Sequence, residues 1–244
     1  MQIPMTIQAG LWGWLAASSL LLGAAIGFLV TLPQKVVASV MAYGSGVLIA
    51  ALCFGQIPDA ERIGGLWPTL GGLLAGGVVF VVASQFIERL EMHHRSKDGG
   101  AMVALLIAVG AFLDGIPESL GLGLGLLDSG QVSVMMLVAI FLANLPEGLA
   151  SAAGLRAEKR RGWLVFGLWG AIVLLSGLAA MAGPGLFADV QPNWLAFALG
   201  FSAGAVLCML VDTLIPDAFE TTHAWTGLIT LAGFMTAFMI DHLV

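Results

Sequence analysis

The 244 residues are 59% hydrophobic and 10% charged, and the mean hydropathy of +0.99 excludes an ordinary soluble domain. Nine Lys and Arg against 15 Asp and Glu leave a net charge of −6, which says little about partners because the basic residues gather in loops and several acids lie inside apolar segments. No nucleic-acid partner and no prosthetic group is expected.

A hydrocarbon core about 30 Å thick takes about 20 helical residues to cross. Turn-rich or charged breaks cut the chain into eight such segments, at about 10–32, 36–57, 67–87, 101–127, 132–155, 163–181, 194–215 and 224–243. The expected fold class is all-α integral membrane, one transmembrane domain of eight transmembrane helices over residues 1–244, with the lipid bilayer as a partner. The longest polar break, Glu88 to Gly100, is too short for a separate soluble domain. The first span lacks the basic flank and small-residue cleavage site of a signal peptide, so it is read as a retained helix.

Orientation follows from the basic residues in chain order. Lys35 lies in the first loop, Arg89, Arg95 and Lys97 in or beside the third, and Arg156, Lys159, Arg160 and Arg161 in the fifth, so eight of the nine share one side. Only Arg62, in the second loop, falls opposite. The positive-inside rule makes the shared side cytoplasmic and puts both termini outside, in a plasma (inner) membrane. Trp12, Trp14, Trp67, Trp163, Trp194 and Trp225 lie near span ends, as interfacial anchors do. Cys53 and Cys208 fall mid-span without zinc-finger or disulfide spacing and are read as packing residues. His93 and His94 are read as solvated loop residues, and Gly121 to Gly125 as a close-packing run, since it lacks the context of a dinucleotide loop.

Two internal similarities organise the chain. Gly46 to Ala60 aligns without gaps on Gly204 to Ala218, sharing Ile-Pro-Asp-Ala at the end, with a shift of 158 residues that also brings Trp67 onto Trp225. On the expected topology these two copies run in opposite directions. In the centre, A-F-L-D-G-I-P-E-S-L (Ala111 to Leu120) and I-F-L-A-N-L-P-E-G-L (Ile140 to Leu149) superimpose with a shift of 29. Three helices, a central pair and three more helices form a 3+2+3 inverted-repeat transporter bundle, an architecture that places its site near the midplane.

The central pair carries the chemistry. Asp114 and Glu118 are four residues apart and Asn144 and Glu147 three apart, so each pair shares a helical face. Two antiparallel helices bring these four oxygen-bearing side chains within reach of one ion. Pro117 and Pro146 cannot donate to the carbonyls four residues back, those of Leu113 and Leu142, which are then free for an ion or water. A charge at bilayer depth costs about 2.5 to 3.5 kcal/mol on insertion scales and persists mostly along polar paths. No Lys or Arg lies mid-span to neutralise Asp114, Glu118, Glu147 or Asp212, so a bound cation is the simpler counter-charge; protonated or paired structural carboxylates are the competing reading. Asp212, whose counterpart in the second span is Phe54, is a secondary cation contact on the permeation path.

The doubled Pro-Glu element, the eight spans with both termini outside and the Ile-Pro-Asp copies in the second and seventh spans together resemble the ZIP (Zrt/Irt-like protein) family of divalent metal transporters. In that family the fourth span typically carries His-Asn-x-Pro-Glu-Gly, and the fifth a polar pair before Pro-Glu-Gly or Pro-His-Glu. The resemblance implies that Asp114 stands in place of the His, Gly115 of the Asn and Glu118 of the Glu, with Ala143 and Asn144 for the polar pair and Glu147 for the second Glu. With no His left and no ligand side chain at Gly115 or Ala143, the two-metal arrangement reduces to one metal position. An all-oxygen set suits hard or borderline ions such as Mn²⁺ or Fe²⁺, and carboxylates bind Zn²⁺ as well.

The expected function is a ZIP-like carrier moving a divalent metal ion inward, with the metal as substrate and a homodimer compatible with the reading. Membrane-enzyme chemistry is set aside because no H-E-x-x-H or nucleophile elbow is present; the chain is not expected to be an enzyme. A proton-coupled carrier of a small solute, or a passive cation channel, would use the same carboxylates.

Overall fold

Pro4 and Pro33, each in extended backbone, precede the first two helices, α1 (Met5–Leu29) and α2 (Gln34–Ala51). The structure, a computed structural model, describes residues 4–94, 115–128, 130–157 and 159–243. Among these every regular element is helical. α2 runs through a π-turn (Leu52–Gln56) into α3 (Ile57–Gly64), and α4 (Leu66–His94) follows after Gly65. The helical residues 115–128 form α5, followed by α6 (Val134–Ala157) and α7 (Gly162–Phe187). α8 (Pro192–Met209) leads through a second π-turn (Leu210–Leu214) into α9 (Ile215–Thr222), a 3-10 turn (His223–Trp225) and α10 (Thr226–Leu243).

Six stretches are long and apolar enough to cross a membrane: Met5–Leu29, Gln34–Gly64, Leu66–Ile87, Val134–Arg156, Gly162–Phe187 and Pro192–His242. The last takes in two expected spans. Most of the expected span 101–127, and with it Asp114, lies outside the described residues, as do Arg95 and Lys97.

The Ile-Pro-Asp-Ala stretches fall within helical runs, not at helix ends. Each follows a π-turn in which a backbone N–H reaches five residues back, Ile57 to Leu52 and Ile215 to Leu210. The proline that comes next has no N–H to continue the ladder, so a widened turn leads directly into the short helices α3 and α9. These end at Gly65 (φ 85°) and His223 (φ 46°), both in left-handed backbone. From α2 to α9 the helix and π-turn boundaries recur at a constant separation of 158 residues, from Gln34 and Pro192 through Gly64 and Thr222.

Small residues set how the helices meet. Without a hydrophobic drive between helices in lipid, association depends on close backbone approach. A Cβ at Gly23 or Gly27 of α1 would overlap the α6 backbone at Leu145 or Leu149, and one at Gly148 of α6 would overlap Leu20. Gly72, Gly76 and Gly204 do the same for α4 against α8, Gly46 and Gly233 for α2 against α10, and Gly123 for α5 against α7. α6 thus lies against α1 and α2, and α1 also packs on α7.

The central apolar cluster joins α2, α6 and α8 and includes Leu122 of α5. A second gathers α1, α6 and α7 around the fully buried Trp169. Outward-facing apolar side chains such as Leu74, Val82 and Phe86 on α4 and Leu228 and Met235 on α10 form a surface that suits lipid. Trp67, Trp163, Trp194 and Trp225 are exposed near helix ends, whereas Trp14 packs into α7 and donates its Nε1–H to the Leu174 carbonyl at 3.2 Å. Cys53 is exposed and Cys208 partly buried, both as free thiols.

Candidate functional site

The two Pro-Glu stretches are held differently. In α5, the Pro117 carbonyl accepts a hydrogen bond from the Ser202 hydroxyl of α8, and a Cβ at Gly115 would lie 3.4 Å from the Ser176 hydroxyl of α7. Both serines are buried. This segment therefore rests on α7 and α8, with Gly123 fixing the close approach to Ala180.

In α6, residues 142–149 are wedged between α1 and α2. Gly23 and Gly27 admit the backbone at Leu145 and Leu149, and Gly44 of α2 lies against the Leu142–Ala143 peptide, where an added Cβ would come within 3.2 Å. Pro146 sits inside a helix that continues through it. Leu142, whose carbonyl loses its donor to that proline, lines a groove of about 530 Å³ together with Lys35, Ser39, Tyr43 and Ile229.

Burial separates the predicted ligands. Glu118 is 1% exposed and Asn144 5%, Glu147 is half-buried and Asp212 exposed. Leu122, one turn from Glu118, and Ala143, beside Asn144, belong to the same apolar cluster. Asp114 lies outside the described residues. Among the described residues no group of three or more His, Cys, Asp and Glu side chains is gathered for a metal ion. Asp212 occupies the second π-turn, one helical turn beyond Cys208.

The two ends of the bundle differ in charge. Val30, Gln34 and Arg156 line one cavity of about 300 Å³, and Lys35 shares another with Thr222 and His223, so Lys35 and Arg156 mark one end. At the opposite end Gly64 packs on Pro192, and Arg62 pairs with Asp59 at 3.3 Å and with Asp128. Arg62, the one basic residue that breaks the expected loop pattern, is thus held by two carboxylates.

Sequence reasoning missed several polar groups around the motifs. Gln56, buried in the first π-turn, donates from Nε2 to the Leu199 carbonyl at 3.0 Å; its only sequence signal was an amide within an apolar run. Ser176 and Ser202 look like ordinary small helix residues and gave no signal at all. No family model matches the chain, and no curated protein matches it.

Proposed function

We propose that the chain is a ZIP-like membrane carrier that moves a divalent metal ion inward through a carboxylate site between α5 and α6. The observation that carries this reading is the burial of Glu118 and Asn144, on two helices that contribute to one apolar cluster, in a chain whose basic residues, among those described, lie toward helix ends or in loops. Buried acids inside membrane bundles generally mark substrate or ion paths. Glu118 and Glu147, with Asp114 and Asn144, are the proposed oxygen ligands.

Two further features support it. The 158-residue recurrence of helix, π-turn and helix boundaries, together with the pairing of α2 on α10 and α8 on α4, fits an inverted repeat in which each half lends a helix to the other. Lys35 and Arg156 at one end of the bundle fit a cytoplasmic face there, with both termini outside.

The test is equilibrium binding of Mn²⁺ and Zn²⁺ to the purified chain and to its Glu118→Gln and Glu147→Gln variants. Gln keeps the shape and removes the charge, so both variants should lose binding; wild-type affinity in both sinks the site. No divalent-ion binding by the wild-type chain, with proton-driven solute uptake instead, would favour the small-solute carrier. Asp212 is proposed as a secondary contact, so Asp212→Asn should slow Mn²⁺ uptake several-fold and leave equilibrium affinity unchanged. An unaltered rate would remove Asp212 from the path.

A further inference from the structure

The first π-turn, α5 and the start of α6 enclose a narrow cleft lined by Gln56, Asp59, Gly121, Ser133 and Met136. Three observations meet there. Gln56 is 8% exposed, and while its Nε2 is bonded to Leu199, its Oε1 has no partner among the described residues. A buried amide oxygen without a partner is destabilising, and a lone-pair acceptor such as a cation relieves that. Gly121 keeps the cleft open at this point, since a Cβ there would meet the Gln56 amide at 2.8 to 3.0 Å.

Asp59 stands at the mouth of the same cleft, and its carboxylate is engaged by Arg62. The guanidinium also holds Asp128 at the end of α5, so Arg62 ties α3 to α5 across the mouth. The two carboxylates are unequally placed, with side-chain exposures of 44% for Asp59 and 13% for Asp128. Water screens the Asp59 pair strongly, so it holds Arg62 only weakly. The less exposed Asp128 retains Arg62 more firmly.

We propose that Arg62 is a tethered cation that closes this cleft, and that an incoming hydrated divalent cation displaces it from Asp59 and gains Gln56 Oε1 as a further oxygen ligand. The exchange replaces one positive charge by two at Asp59 and leaves Arg62 anchored on Asp128, so no charge is stranded. An oxygen-only pair of ligands selects hard or borderline ions over soft ones, and leaves most of the hydration shell in place, as an access site requires. The role in ion access rests on the transport reading above; the ligand chemistry of the cleft does not.

The test uses the full-length chain carrying Glu118→Gln and Glu147→Gln, with Mn²⁺ as the probe and its free fraction read by electron paramagnetic resonance. A weak Mn²⁺ site should remain in this background. Arg62→Gln should tighten it about fivefold, the equivalent of removing one exposed ion pair, Arg62→Lys should fall between, and Asp59→Asn should abolish it. Gln56→Leu should weaken it while keeping the helix folded. Residual binding that ignores Arg62→Gln, binding that survives Asp59→Asn, or no binding even with Arg62→Gln overturns the proposal. Tight binding that persists in the Glu118→Gln/Glu147→Gln background counts against the transport site instead, because the response of the weaker site to positions 59 and 62 is read separately.

Discussion

At the scale of single residues, function turns on what oxygen ligands can and cannot discriminate. On the proposed ZIP-like reading Asp114 takes the place of an imidazole, and carboxylate ligands do not favour Zn²⁺ over Mn²⁺ in the way imidazole does. Asp114→His should therefore shift the Zn²⁺ to Mn²⁺ affinity ratio upward about tenfold, the effect of about 1.4 kcal/mol in one ligand bond; an unchanged ratio in competition binding would remove position 114 from the site. Burial sharpens the roles of the other acids. Glu118 is almost wholly enclosed and Glu147 half-buried, so Glu147 is the more accessible of the two. The sequence made these carboxylates legible because acids in apolar runs are costly and therefore conspicuous. It did not expose Gln56, Ser176 or Ser202, since a single uncharged amide or hydroxyl in an apolar run stands out far less than a carboxylate, and serine hydroxyls commonly donate to backbone carbonyls.

At the scale of elements, glycine contacts fix how the motifs are held. Gly23 meets the α6 backbone at Leu145, directly before Pro146, and an added side chain would force the two helices apart. Gly23→Val should lower stability by about 1 to 3 kcal/mol, as overpacking does, and should reduce metal affinity because the α6 motif shifts with it. Gly170, on α7, has nothing within 4 Å of an added Cβ, so Gly170→Ala should leave stability unchanged or raise it by up to about 1 kcal/mol through helix propensity. Thermal unfolding in detergent compares the two, and equal responses would contradict the packing account. Hydropathy located the helices well: where residues are described the expected spans are helical except at two edges, Val30 to Leu32 and Val132 to Ser133. It placed the second and seventh spans' ends at Ile57 and Ile215, whereas helix continues to Gly64 and Thr222. The reason is local. Proline is compatible with a helix that restarts after a π-turn, and a hydropathy window sees Pro-Asp only as a polar break.

At the scale of the whole molecule, alternation of ends is the quantity that ties sequence to transport. Lys35 and Arg156 lie at one end, and Arg62, held by Asp59 and Asp128, at the other. A count of loop charges could not show that Arg62 is paired, because Asp59 and Asp128 are 69 residues apart in sequence. The central claim is that Glu118 and Glu147 bind and pass a divalent ion. Its most direct test is uptake into proteoliposomes across a panel of Mn²⁺, Fe²⁺, Zn²⁺, Mg²⁺ and Ca²⁺, with wild type, Glu118→Gln and Glu147→Gln side by side. Saturable uptake of at least one of these ions by wild type, lost in both variants, is the predicted result. Absence of uptake for every ion, or uptake untouched by either substitution, would contradict it.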